Sequence, residues 1–266
     1  MVTSLGRAVK AVPFVRSWQE QSYERMFATS DCYGGFRGVF RTFAEATRSA
    51  PPTTKIGFDH PAVANEFSSR HDRVFSYDYP VLFWLKSIVK PGTKIFDYGG
   101  HVGVQFYGYE KYLTYPTGFQ WRVCDVPAVT AAGRELAASR GRKELSFTNS
   151  PADADGFDVL IAAGALQYVE SPLLAESISR LRDKPAHLLL NKLPLTDGEP
   201  FVTLQNAGPS FVPQYVFSRS AFIRSLTDVG YELVDSWEDC VHSCRIPFHS
   251  DRDVPRYSGL YLRRRA

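Results

Sequence analysis

The residues best placed to do chemistry lie in one turn, Asp97-Tyr-Gly-Gly-His-Val-Gly103, which follows a short apolar run. Glycines at such a turn let backbone approach a ligand, and the carboxylate can hold a cation or an amino group. A phosphate-cradling P-loop would need Lys-Ser or Lys-Thr after the glycines, but residues 103–106 read Gly-Val-Gln-Phe. A dinucleotide fingerprint counted from Gly99 would need glycine where His101 and Val104 stand. What remains is Asp-x-Gly-Gly-x-x-Gly. A second carboxylate, Asp125, follows the next apolar run in Cys124-Asp-Val-Pro-Ala-Val129. At a strand end it is placed to accept hydrogen bonds from both hydroxyls of a ribose; the alternative role is a helix N-cap. Cys240-Val-His-Ser-Cys244, with His249 beyond it, puts positions 240, 242 and 244 on one face if extended. Its spacing matches no common zinc site and makes a poor disulfide, so no metal is assigned.

The elements that must hold these groups alternate. Strands are predicted at residues 93–98, 120–124, 145–148, 157–163 and 187–191, with helices at 104–113, 128–139 and 173–182 between them. A helix at 219–229, with Ser218 as cap and Gly230 as stop, leads to two final strands at 233–238 and 258–263, antiparallel to each other. This predicts an α/β, doubly wound, Rossmann-like seven-stranded sheet, mainly parallel with an antiparallel last strand, whose ligands bind at the carboxyl ends of the strands. Lys90-Pro-Gly92 is a stop signal, so the chain divides into residues 1–90, an N-terminal helical cap or extension, and 91–266, the ligand-binding domain. Helices are expected in the extension near 18–27, 40–47, 61–70 and 79–89.

Three motifs in this order carry a resemblance. Asp97, Gly99, Gly100 and Gly103 match the first motif of class I S-adenosylmethionine-dependent methyltransferases. Asp125-Val-Pro-Ala-Val129 is similar to their D-L-P-x-V segment, and Phe157-Asp-Val-Leu-Ile-Ala-Ala-Gly-Ala-Leu-Gln-Tyr168 with Pro172 resembles their fourth-strand region. The likeness covers about residues 90–240. The leading segments Tyr33-Gly-Gly-Phe36 and Phe75-Ser-Tyr-Asp-Tyr-Pro-Val-Leu82 are also similar to a bacterial group of methyltransferase-like proteins with F-D-Y/F-G-G and S-G-A-L-Q-Y-like motifs.

The resemblance implies S-adenosylmethionine as cofactor, bound by Asp97, Gly99, Gly100, His101, Gly103, Asp125, Val126, Ala163 and Gly164. The chemistry agrees: this cofactor has no phosphate, its carboxylate can use backbone N–H groups, and Asp97 can hold its amino group. The acceptor implied is a small molecule or sugar intermediate methylated on oxygen, with Gln167, Tyr168 and Lys192 on the substrate side. Methyl transfer from a sulfonium is an in-line displacement that depends on alignment and, for a protic acceptor, on a general base. His101, Tyr168 and Lys192 are the catalytic candidates. His101 can instead contact the cofactor, Tyr168 can pack in the core, and Lys192 can be a surface lysine. His71 is a lid candidate, and the aromatic residues of the extension could shape the acceptor site.

Composition bounds these readings. The 266 residues, 44% of them hydrophobic and 22% charged, suffice for one full domain plus an extension. A formal charge of +3, part of it in Arg263, Arg264 and Arg265, argues against dedicated nucleic-acid binding. No run of about 18 apolar residues predicts a membrane span. Four sparse cysteines fit a reducing cytoplasm. Two rival classes stay open, an NAD(P)-dependent oxidoreductase and a cofactor-binding interaction module without catalysis.

Overall fold

The computed structural model describes residues 13–60, 62–63 and 73–265. The helix expected at 61–70 and the lid candidate His71 lie outside the described residues, apart from positions 62 and 63. By compactness the chain forms two units. One comprises residues 1–57, 202–214 and 245–253; the other comprises 58–201, 215–244 and 254–266. The first unit thus runs to Gly57, and later segments of the chain return to it.

In the first unit α1 (Pro13–Phe27) precedes β1 (Phe36–Phe40), α2 (Phe43–Arg48) and β2 (Lys55–Ile56). β1 pairs antiparallel with β9 (Phe201–Asn206), and β2 pairs with β10 (Ser210–Ser218). Phe27 stacks on Phe211 at 5.3 Å in its core. None of these strands was expected. Pro213 inside β10 reads as a strand breaker, and partners so far apart in sequence leave no local signal.

The larger unit carries the predicted sheet. In chain order it has α3 (Tyr79–Ile88), β3 (Lys94–Tyr98), α4 (Val104–Tyr109), β4 (Gln120–Cys124), α5 (Pro127–Ser139), β5 (Leu145–Thr148), β6 (Val159–Ala163), α6 (Leu174–Ser179) and β7 (His187–Leu193). The short β8 (Leu195–Thr196), α7 (Arg219–Asp228), β11 (Tyr231–Asp239) and β12 (Tyr257–Arg264) complete it. The seven-stranded order is β11-β12-β7-β6-β3-β4-β5, parallel except that β12 runs against both neighbours.

Alternation along the strands explains the two layers of core. Ile95, Val159, Ile161 and Leu189 face a cluster with Val81, Leu85, Phe106 and Ala137 from α3, α4 and α5. Phe96, Leu160, Ala162, Leu188 and Leu190 face the other way, onto Leu174, Ile178, Phe222 and Leu226 of α6 and α7. Side chains of successive strand residues point to opposite faces, so continuous apolar runs are what a sheet covered on both sides requires. The aromatic residues Phe106, Tyr107 and Tyr109 are buried in that packing. Among the described residues no helix is long and apolar enough to cross a membrane.

Candidate active site at the carboxyl ends of the strands

The turn after β3 is built around Asp97. This residue is fully buried, and its Oδ2 accepts a hydrogen bond from the indole N–H of Trp121 at 3.0 Å. Its Oδ1 has no hydrogen-bond partner. Burial drives the carboxyl up to about 7; the Trp121 bond and Lys192 oppose this, and Asp125 adds to it. Gly99, at φ 71°, donates its N–H to the Cys124 carbonyl at 2.8 Å, joining the ends of β3 and β4. A Cβ at Gly100 would lie 2.2 Å from Asp97 Oδ2, and one at Gly99 would lie 2.1 Å from Ala165 Cβ. Neither position accepts a side chain, so this floor is bare backbone. Gly103 takes φ 95° as the residue before α4.

Asp125 closes the neighbouring strand. Its Oδ2 accepts the His101 backbone N–H at 2.9 Å and its Oδ1 accepts that of Val126 at 2.8 Å. It does not cap α5, because Val126 occupies the N-cap position. Burial raises this carboxyl to about 6 against the pull of the two N–H groups, and Asp59 raises it further. A carboxylate has about four lone-pair sites, so two remain for a ligand. His101 itself sits at φ 55°, and its ring Nε2 lies 3.2 Å from the Val63 carbonyl. A carbonyl only accepts, so this contact uses an Nε2–H.

Residues 58–60 and Val63 reach the same strand ends. Asp59 accepts the Ala128 N–H at 3.0 Å, and Phe58 meets Tyr168 edge-on at 4.9 Å. Val63 packs with Val102 and Val129, with Val126 beside them.

After β6, Ala163 is buried and Gly164 turns at φ 75°, donating its N–H to the Asn191 carbonyl at 2.9 Å. Gln167 is buried with its Oε1 unpartnered. At the end of β7, Lys192 adopts φ 56°, unusual for a non-glycine residue. Its stem would touch a Cβ on Gly164, and its Nζ stands 5.0 Å from the centroid of the Tyr77 ring. Asn191 holds this end in place, donating to the Tyr77 carbonyl at 2.8 Å and accepting from the Trp237 indole at 3.0 Å.

Lys192 also lines a cleft of about 390 Å³, open mouth included, with Arg73, Phe75, Tyr77, Asp78, Gln105 and Tyr109 among its walls. Burial raises the Asp78 carboxyl, while the Phe75 N–H, Lys192 and Tyr109 work to lower it. Phe75 and Tyr77 are among the extension aromatics expected to shape an acceptor site, whereas Arg73, Asp78 and Gln105 escaped sequence reasoning.

The cysteine-histidine segment does not take the extended form that would put positions 240, 242 and 244 on one face. β11 stops at Asp239, whose Oδ1 takes the backbone N–H groups of Val241 and His242 at 2.8 and 3.2 Å and bends the chain over. Among the described residues no group of three or more His, Cys, Asp or Glu is arranged to hold a metal.

No protein-family model matches this chain, and no curated protein sequence matches it. Solved structures do share its fold. A magnesium protoporphyrin IX methyltransferase from Synechocystis PCC 6803, crystallised with bound SAM, superposes at a TM-score of 0.50 and 14% identity, over 78% of this chain and 93% of that one. A SAM-dependent methyltransferase from Aquifex aeolicus matches at 0.50 and 15% identity, over 76% and 97%. At these identities the shared property is the fold, a class I methyltransferase sheet.

Proposed function

We propose that this protein is an S-adenosylmethionine-dependent methyltransferase acting on a small-molecule or sugar-intermediate acceptor, with oxygen as the atom methylated. One observation carries the reading. A fully buried carboxylate, Asp97, keeps one oxygen unpartnered beside a glycine floor that no Cβ could share. Leaving a buried polar atom unmet is destabilising by about 1–3 kcal/mol, so a ligand donor is the natural partner. The ammonium of S-adenosylmethionine fits that need, and the absence of a phosphate-binding lysine in the turn fits a phosphate-free cofactor.

The cofactor supplies a methyl group activated on a sulfonium. The remaining tasks belong to this chain. Asp97 meets the cation, and Asp125, pre-oriented by two backbone N–H groups, offers its free lone pairs to ribose hydroxyls. Ala163 and Gly164 leave space at the strand end. Lys192 and Arg73 bring positive charge to the cleft, which suits an acceptor that carries an acidic group. We assign His101 to cofactor contact and loop closure, since its backbone N–H braces Asp125. The sparse cysteines support a cytoplasmic setting.

Calorimetry with S-adenosylmethionine, S-adenosylhomocysteine and NADH tests the reading. Micromolar binding of the adenosyl compounds is expected. Binding of NADH alone would overturn it.

A further inference from the structure

The motif that found no metal contains a different device. Asp239 is fully buried, and its two oxygens do separate work. Oδ1 serves the two backbone N–H groups of the turn; Oδ2 lies 2.6 Å from His242 Nδ1. An asparagine oxygen would serve the turn equally well, so the second carboxylate oxygen is spent on the imidazole. Burial pushes the Asp239 carboxyl up, but the His242 and backbone hydrogen bonds outweigh it and hold the group below its ordinary value. Facing an ionised carboxylate, a neutral imidazole carries its proton on Nδ1 and keeps its lone pair on Nε2.

That ring packs against a wall residue of the cleft. It is 38% exposed, meets Tyr77 edge-on at 4.8 Å and lies 6.0 Å from the Tyr257 ring. Tyr77 is a wall of the cleft, with Lys192 Nζ on it. The next residue, Asp78, feels both Lys192 and Asp239. Carboxylate, imidazole, tyrosine and lysine thus form one connected row leading into the cavity.

We propose that His242, oriented by Asp239, is the general base that takes the proton from a weakly acidic hydroxyl or amine of an acceptor held in this cleft. The assignment rests on the methyl-transfer reading and adds to it the residue that handles the proton. As the acceptor oxygen bonds the methyl carbon and the electron pair of the breaking C–S bond stays on sulfur, the proton that the oxygen sheds moves to His242 Nε2. The imidazolium so formed is stabilised by the Asp239 carboxylate. Water then removes the proton once the product leaves. Among the described residues, the titratable and charged groups facing the His242 ring are Asp239, the phenols of Tyr77 and Tyr257, and Lys192 beyond Tyr77.

The test has two readouts. Nitrogen-15 NMR of the ligand-free protein should find His242 as the Nδ1–H tautomer, and Asp239→Asn should abolish that preference while the turn persists. An Nε2–H tautomer in the parent protein would overturn the proposal. In the second readout, radiolabelled methyl transfer to a panel of alcohols, phenols and amines is measured for the parent and for His242→Gln. The substitution should lower turnover with alcohols by about 100-fold or more, with a much smaller loss for a nitrophenol already ionised at neutral pH. With S-adenosylmethionine saturating at every pH, it should also flatten the acidic limb of the parent's turnover, with S-adenosylhomocysteine affinity unchanged. Equal loss for both acceptor types, or unchanged turnover and pH profile, would overturn the role of His242 alone. If S-adenosylhomocysteine fails to bind the parent protein, the cofactor reading falls and the catalytic role falls with it.

Discussion

Asp97 and Asp239 are both fully buried carboxylates at the ends of strands in the same sheet, yet their protonation equilibria move in opposite directions. The difference lies in the donors. Asp239 gathers the His242 ring and two backbone N–H groups, whereas Asp97 has the Trp121 indole and one oxygen unmet. Burial penalises both charges, and hydrogen bonds to the ionised form repay only one of them. Asp239 has donors on both oxygens; Asp97 keeps one oxygen unmet. One carboxylate organises the protein's own side chain, and the other, on the function proposed above, would take the cofactor's ammonium as its missing partner.

That contrast can be broken from either side. The largest effect is expected for Asp239→Ala, which strips three donors of their acceptor; unfolding by denaturant should show a loss of about 3–5 kcal/mol. Asp97→Asn should do the opposite to the ligand-free protein, stabilising it by about 2–3 kcal/mol near pH 8, because it removes a charge that burial disfavours. The sign follows from the raised folded value of about 7. Stability is lost as pH rises from the ordinary carboxylate range through 7, so the advantage of Asn should vanish below about pH 4, where both side chains are neutral. The same substitution should abolish measurable S-adenosylhomocysteine binding.

Asp125→Ala should weaken cofactor binding by about 1–3 kcal/mol through lost charge-assisted bonds; unchanged affinity in a folded variant would reduce Asp125 to a brace for the turn. In the parent protein, a cationic ligand group prefers the ionised Asp97. Calorimetry should therefore find affinity falling by up to about tenfold per pH unit below 7 and level above it. The smallest effect is reserved for Trp121→Phe. It removes the indole donor to Asp97 and should shift that pH dependence upward, with a loss of about 1 kcal/mol in affinity at neutral pH.

Much of the large sheet was legible in the sequence. Residues 159–163 form a continuous apolar run because β6 is covered on both faces, and Asp97-x-Gly-Gly announces a turn in which side chains would collide. The carboxylate at Asp125 could be read too, since a strand end is recognisable from where the apolar run stops. The first unit was far less legible. β1 and β9 are partners across more than half of the chain, and Pro213 obscures β10. The cysteine-histidine segment shows a subtler limit: its spacing alone did not reveal that Asp239 bends the chain and claims His242 for itself.

By itself, then, the sequence determined the α/β sheet, the glycine turn and the two acidic strand ends, because periodicity and glycine chemistry act over a few residues. Only the tertiary structure decided that Trp121 of the neighbouring strand meets Asp97 and that Tyr77, Lys192 and His242 stand in one row. Tyr77 lies more than a hundred residues before both of its partners in that row, and no local pattern encodes such contacts.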